Sequence, residues 1–166
     1  MGIPRRKMPG IFFGHKGLPG QSSYTYPSLH PAVVKAAPNE ITDTWFKRKD
    51  DGCAIETYAT HVMGDFQCRN IGCLSQGWSS KMVAIEIRWY SGNGYNATVF
   101  GQRCRACNEF GGFDLNTDSY AERVSYRLKK WKGIKCEKPP YNEKQGKPHL
   151  REFCEGCRLG ICREGD

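Results

Sequence analysis

The sequence predicts an α+β fold in which antiparallel β-hairpins precede a C-terminal amphipathic helix and bound metal braces the chain. Three observations carry that expectation: alternating apolar residues on both sides of Ser91-Gly92-Asn93-Gly94, a capped apolar stripe over residues 119–132, and closely spaced cysteines. With 166 residues, 39% of them hydrophobic, and a mean hydropathy of −0.64, the chain has little apolar surface to bury, so something besides the core is expected to stabilise it.

Residues 1–26 are rich in Gly, Pro and Ser and are expected to form a flexible N-terminal tail. In 27–41, Leu29, Val33 and Ala36 or Ala37 have helical spacing and Pro38 follows, so a short helix and linker are expected. Residues 42–166 are expected to form the metal-binding domain. Its first hairpin is expected from 42–49 and 53–62, joined by Asp50-Asp51-Gly52. A second is expected from Val83, Ile85, Ile87 and Trp89, which alternate with Ala84, Glu86, Arg88 and Tyr90 and are followed, after the turn, by 95–100. For the helix over 119–132, Ser119 and Glu122 are spaced as a capping box, and Tyr120, Val124, Leu128 and Trp131 form one stripe. Gly133-Ile134 resembles a Schellman stop.

Nine cysteines are present, and seven fall into a pattern: Cys68 and Cys73, Cys104 and Cys107, then Cys154, Cys157 and Cys162, preceded by His149. Thiolates two to four residues apart can turn both sulfurs toward one ion at about 2.3 Å, and zinc takes four such ligands, so these eight residues are the expected donors for two Zn2+ ions. The second hairpin would bring the first two pairs to its open end, as in a zinc ribbon, leaving His149, Cys154, Cys157 and Cys162 as the second site. An interleaved pairing, in which the C-terminal cysteines complete the first site, stays open on spacing alone. Cys53, between Gly52 and Ala54, is expected to be a small buried group and Cys136 a spare thiol, while His15, His30 and His61 lack cysteine neighbours at ligand spacing.

Taken together, several motifs resemble the three-CxxC-type zinc-binding domain family, most closely its fungal members. They are Gly64-Asp65-Phe66-Gln67-Cys68, Gly77-Trp78-Ser79-Ser80-Lys81, Tyr95-Asn96-Ala97, Gln102-Arg103-Cys104-Arg105-Ala106-Cys107-Asn108, and Cys154-Glu155-Gly156-Cys157 with Gly160 and Cys162. Ser119-Tyr120, Glu122-Arg123-Val124 and Tyr126-Arg127-Leu128-Lys129-Lys130-Trp131 resemble the same group, so the likeness covers about residues 42–162. It implies zinc at the seven matched cysteines. Relatives of that family include the receptor-transporting proteins and the zygote arrest proteins, whose zinc domain binds messenger RNA. The Cys68 to Cys73 spacing is two residues longer than CxxC.

The formal net charge is +8, concentrated in two places. Residues 1–20 carry Arg5, Arg6, Lys7 and Lys16 with no acid, and residues 117–138 carry seven bases against Asp118, Glu122 and Glu137. Arg103 and Arg105 bracket Cys104, and Arg123, Arg127 and Lys130 share one helical face, while Trp78 and Tyr95 offer aromatic faces. A nucleic-acid partner is therefore expected, RNA ahead of DNA, with those five bases as contacts; a zinc-braced protein-interaction or chaperone-like adaptor is the alternative. Catalysis is not expected, because eight ligands fill two sites and no His-x-Glu precedes a Pro-Cys-x-x-Cys. No apolar run approaches the ~18 residues of a membrane span, so no membrane partner is expected, and free thiols without a secretory leader suggest an intracellular protein, cytoplasmic or nuclear.

Overall fold

The computed structural model describes residues 20–138 and 148–162. It has strands β1 Ser23–Thr25, β2 Trp45–Phe46, β3 Glu56–Gln67, β4 Trp78–Tyr90, β5 Gly94–Phe100 and β6 Gly112–Leu115, with helices α1 His30–Ala36, α2 Thr117–Trp131 and α3 Glu155–Arg158. The six strands form one sheet in the order β1-β5-β4-β3-β6, and β2 pairs with β5 beside β1. Every pairing is antiparallel except β2 with β5.

β4 and β5 form the expected hairpin. Tyr90 opposes Gly94, and Gly92 and Asn93 both take positive φ, the left-handed backbone a tight turn requires. Because side chains alternate along β4, Val83, Ile85 and Ile87 face one side of the sheet and Ala84 the other. The first set packs with Val33 and Ile41 and with Tyr120, Val124 and Leu128 of α2 in the main core. Ala84 and Phe100 instead pack against Cys154, so α3 lies on the opposite face.

The expected first hairpin does not form. β2 adds in parallel to β5, where Trp45 N–H donates to Asn93 O at 3.1 Å and Lys47 N–H to Tyr95 O at 2.7 Å. Gly94 decides this pairing: the Trp45 ring lies where a Gly94 side chain would stand, with ring atoms from 2.8 Å. The Asp50-Asp51-Gly52 turn does form, Gly52 N–H donating to Asp50 Oδ1 at 3.0 Å, but it leads into β3, whose partners are β4 and β6. Cys53 is exposed beside that turn, not buried in a strand.

The expected tail is also shorter at its inner end. Residues 1–19 lie outside the described residues, but β1 pairs with β5 and Tyr24 is buried. The expected short helix is α1, with Pro31 in its first turn. Its Val33, with Ala37 and Ile41, enters the same core as the strands.

α2 begins two residues earlier than expected, because Asn116, not Ser119, is its cap. The Asn116 side chain accepts from Ser119 N–H at 2.9 Å, while the Ser119 hydroxyl donates to Asn116 O and accepts from Met63 N–H of β3 at 3.0 Å. Tertiary contact thus takes the hydroxyl that local spacing assigned to the cap. Asn116→Ala is expected to cost about 1 kcal/mol, and Glu122→Ala close to nothing, in thermal or urea unfolding. At the other end the Schellman stop is present: Gly133 N–H donates to Lys130 O at 3.1 Å and Ile134 N–H to Lys129 O at 3.0 Å, with Gly133 at φ 74°.

Candidate metal centres

β3 and β5 end, and β4 begins, at the same edge of the sheet, so Cys68 after β3, Cys73 before β4, and Cys104 and Cys107 after β5 meet there. Cys68 and Cys107 sulfurs are 3.5 Å apart, and those of Cys73 and Cys104 are 3.8 Å apart. A zinc ion about 2.3 Å from four sulfurs would space them by about 3.8 Å, whereas a disulfide would bring two to about 2.05 Å. The spacing fits an ion and not a bridge.

The second group forms on the far face of the sheet, where His149 Nε2 lies 3.2 Å from the Cys157 sulfur and 4.0 Å from that of Cys162, and the Cys154 and Cys162 sulfurs are 3.7 Å apart. In each group the four ligand atoms lie within 4.8 Å of one another, so sequential pairing holds and the interleaved alternative does not. Gly160, at φ 72°, reverses the chain after α3 and returns Cys162 to the group.

Backbone N–H groups prepare both sets for a cation. Cys157 N–H points to the Cys154 sulfur at 3.4 Å and Ser75 N–H to the Cys73 sulfur at 3.5 Å. Burial alone would raise the Cys104 thiol, but hydrogen bonds from the Cys107 and Ala106 backbone outweigh it and bring Cys104 down to about 6. Its neighbour Cys68 is pushed up to about 12, chiefly by burial. In the second group the hydrogen bond with Cys162 leads in holding Cys154 down, to about 4, and the same contact pushes Cys162 up. Each set thus holds one thiol ready as thiolate, and Cys68, Cys73, Cys157 and Cys162, whose thiols are held up, would give up their protons to a bound ion. These are the donor sets of two structural zinc sites, the first of four cysteines and the second of three cysteines and a histidine, with four protein ligands each.

Beside the second set, Glu155 is buried and accepts from Arg158 Nε at 2.9 Å on both carboxylate oxygens, which holds its acid well below the usual range. Two glycines matter for the geometry. A Cβ on Gly156 would stand 2.4 Å from Ala84 Cβ and 3.1 Å from the Cys162 sulfur, so α3 can reach the sheet only without a side chain there. Likewise a Cβ on Gly77, at φ 100°, would meet Phe66 O at 2.3 Å.

The expected nucleic-acid contacts fall in two separate places. Arg103 and Arg105 belong to the first metal knuckle; Arg105 is exposed, while the Arg103 guanidinium lies 3.9 Å over the Phe110 ring and donates to Asn108 O at 3.0 Å. Arg123, Arg127 and Lys130 belong to α2, where Arg127 lies 3.3 Å over the Tyr58 ring and Lys130 is exposed. Of the expected stacking faces, Tyr95 is fully buried and bonded through its hydroxyl to His30, and Trp78, partly buried, has one face stacked on Phe66 at 5.1 Å. Ile71 and Leu74, which flank Cys73, belong to no motif that marks a contact surface and yet are 91% and 89% exposed. Their only signal in the sequence is position, one aliphatic residue inside the Cys68–Cys73 loop and one directly after it. His61, expected to be unremarkable, is buried, its ring centre 6.0 Å from that of His149.

A family model described as a zinc-binding domain of the three-CxxC zinc-ribbon type matches residues 61–160. Receptor-transporting protein 4 of Homo sapiens is 26% identical over 145 residues, covering 74% of this chain and 58% of that protein. The chain therefore spans somewhat more than half the length of that relative. No solved structure matches. Among the described residues, no helix is long and apolar enough to cross a membrane.

Proposed function

This chain belongs to the three-CxxC zinc-ribbon family of zinc-binding domains, and from that premise we infer that it is a non-catalytic adaptor that grips another polypeptide with a zinc-braced loop. The observation that carries this reading is the pair Ile71 and Leu74, almost fully exposed, the first on the loop stapled at its ends by Cys68 and Cys73 and the second directly after Cys73. Aliphatic side chains held out rigidly in water lose little conformational freedom on binding and gain from burial. Around them, residues 69–76 and 103–108 carry Arg69, Arg103 and Arg105 and no acid, so the partner expected is a polypeptide with an apolar groove and an acidic rim. The human relative is by name a receptor-transporting protein, which agrees with a polypeptide client. Four protein ligands at each metal leave no open coordination position, which supports a bracing role for zinc over a catalytic one.

RNA binding is the second reading, favoured by the net charge of +8 and by the exposure of Arg105 and Lys130. One experiment separates the two. Ile71→Asp with Leu74→Asp should leave two zinc ions per chain and weaken capture of the polypeptide client by at least about 100-fold, with wild-type binding little affected by salt. Crosslinking in cells that returns RNA, with retention unchanged in the double variant and falling steeply as salt rises, would replace the adaptor reading with the RNA one.

A further inference from the structure

The two metal groups are not independent in the fold. Gln102 lies two residues before Cys104 of the first group and opposes Cys154 of the second in an antiparallel bridge. Two hydrogen bonds close that bridge, Arg103 N–H to Phe153 O at 2.7 Å and Glu155 N–H to Gly101 O at 3.1 Å. On its other side the same segment bonds to the first knuckle, Gly111 N–H donating to Gln102 O at 3.0 Å and Cys104 N–H to Glu109 O at 2.7 Å. The Gln102 side chain is 7% exposed, and its amide has partners on both ends. Its nitrogen donates to Ser80 Oγ at 3.0 Å and Met82 O at 3.2 Å, and its oxygen accepts from Trp78 Nε1 at 3.1 Å. Trp78 in turn stacks on Phe66, two residues before Cys68.

We propose that the antiparallel bridge between residues 101–103 and 153–155 couples the two zinc centres, so that filling one raises the affinity of the other. The physical basis is shared scaffolding. A filled second site fixes Cys154, the bridge then fixes Gly101, Gln102 and Arg103, and Cys104 is presented to the first site already in place. Ordering that an empty chain must complete for each ion separately is completed once for both. Coupling between sites is reciprocal, so emptying the first group weakens the second by the same factor.

The test uses the full chain and needs no assumption about activity. Cobalt(II) replaces zinc as a spectroscopic reporter, because four sulfurs and three sulfurs with one nitrogen give different ligand-field bands. Titration against a chelator then reads each site separately. Cys157→Ser, which disables the second site, should weaken metal binding at the first by about 5–150-fold, the range of ordinary site-to-site coupling. In the Glu155→Pro background, which removes the N–H bonded to Gly101 O at the first position of α3, the same substitution should shift first-site affinity several-fold less, whereas Glu155→Ala, which keeps that N–H, should preserve the full shift. First-site affinity unmoved by Cys157→Ser would overturn the coupling, and coupling kept intact in Glu155→Pro would overturn the role of the bridge. Should Glu155→Pro fail to fold, hydrogen exchange on Cys157→Ser alone tests whether loss of the second site reaches the first through the bridged segment. Faster exchange at the Cys104 and Gly111 amides, with Ala97 and Val99 of β5 still protected, is the expected result. Unchanged exchange at Cys104 and Gly111 would overturn the proposal.

Discussion

Cys104→Ser is expected to halve the zinc content, from two ions per chain to one, and to lower stability by at least about 4 kcal/mol, which is roughly 8–16 °C in thermal midpoint for a domain of this size. Cys104 is fully buried, and its sulfur is the one in the first group that the Ala106 and Cys107 backbone holds near thiolate form. A serine oxygen is a poor zinc ligand, and its removal from the set leaves Cys73 buried without the ion that compensates its charge. The loss is smaller than the about 10–16 kcal/mol of a metal-dependent peptide, because the core of Val83, Ile85, Val99, Tyr120 and Leu128 does not include these sulfurs. Elemental analysis alongside a melting curve measures both effects. Cys53→Ser, at an exposed thiol outside either group, is the control and should leave two ions and the midpoint unchanged. Two ions retained by Cys104→Ser would contradict the assignment of four cysteines to the first site.

Gly156→Ala is the second large effect expected, about 3 kcal/mol of destabilisation together with loss of the second zinc ion. The added methyl would lie 2.4 Å from Ala84 Cβ, a separation that real Cβ atoms do not adopt, so α3 must lift from β4. α3 carries Cys157 and starts from Cys154, and lifting it pulls both from His149 and Cys162. The cause is steric and can be reversed from the other side: Ala84→Gly combined with Gly156→Ala should recover the second ion, although glycine in a strand costs about 1 kcal/mol by itself. Failure of the double variant to recover metal would show that another property of Gly156 matters.

Where residues close in sequence carry the physics, the sequence was read correctly. The β4–β5 hairpin follows from alternation on both sides of one glycine-rich turn, and the Schellman stop follows from a glycine after an apolar stripe. The second metal group lies within fourteen residues, so its spacing alone announced it. The errors came where a distant partner displaced a local one. Ser119 looked like a cap until Met63 of β3 took its hydroxyl, and residues 42–49 looked like half a hairpin until the open edge of β5 and the bare Gly94 received Trp45. Tyr95 and Trp78 looked available for stacking because aromatic residues read alike in a sequence whether they face water or Phe66.

By itself the sequence determined the α+β class, the amphipathic α2, the metal and its eight ligands, since each depends on periodicity, turn chemistry or the short reach between neighbouring thiolates. Only the tertiary structure decided that α3 sits on the face opposite α2, that Arg103 and Arg127 lie on aromatic rings, that Ile71 and Leu74 stand in water, and that Gln102 pairs with Cys154 of the second metal group. These are contacts between residues far apart along the chain. No local pattern encodes them, because they arise only when sheet register brings the partners within a few ångströms.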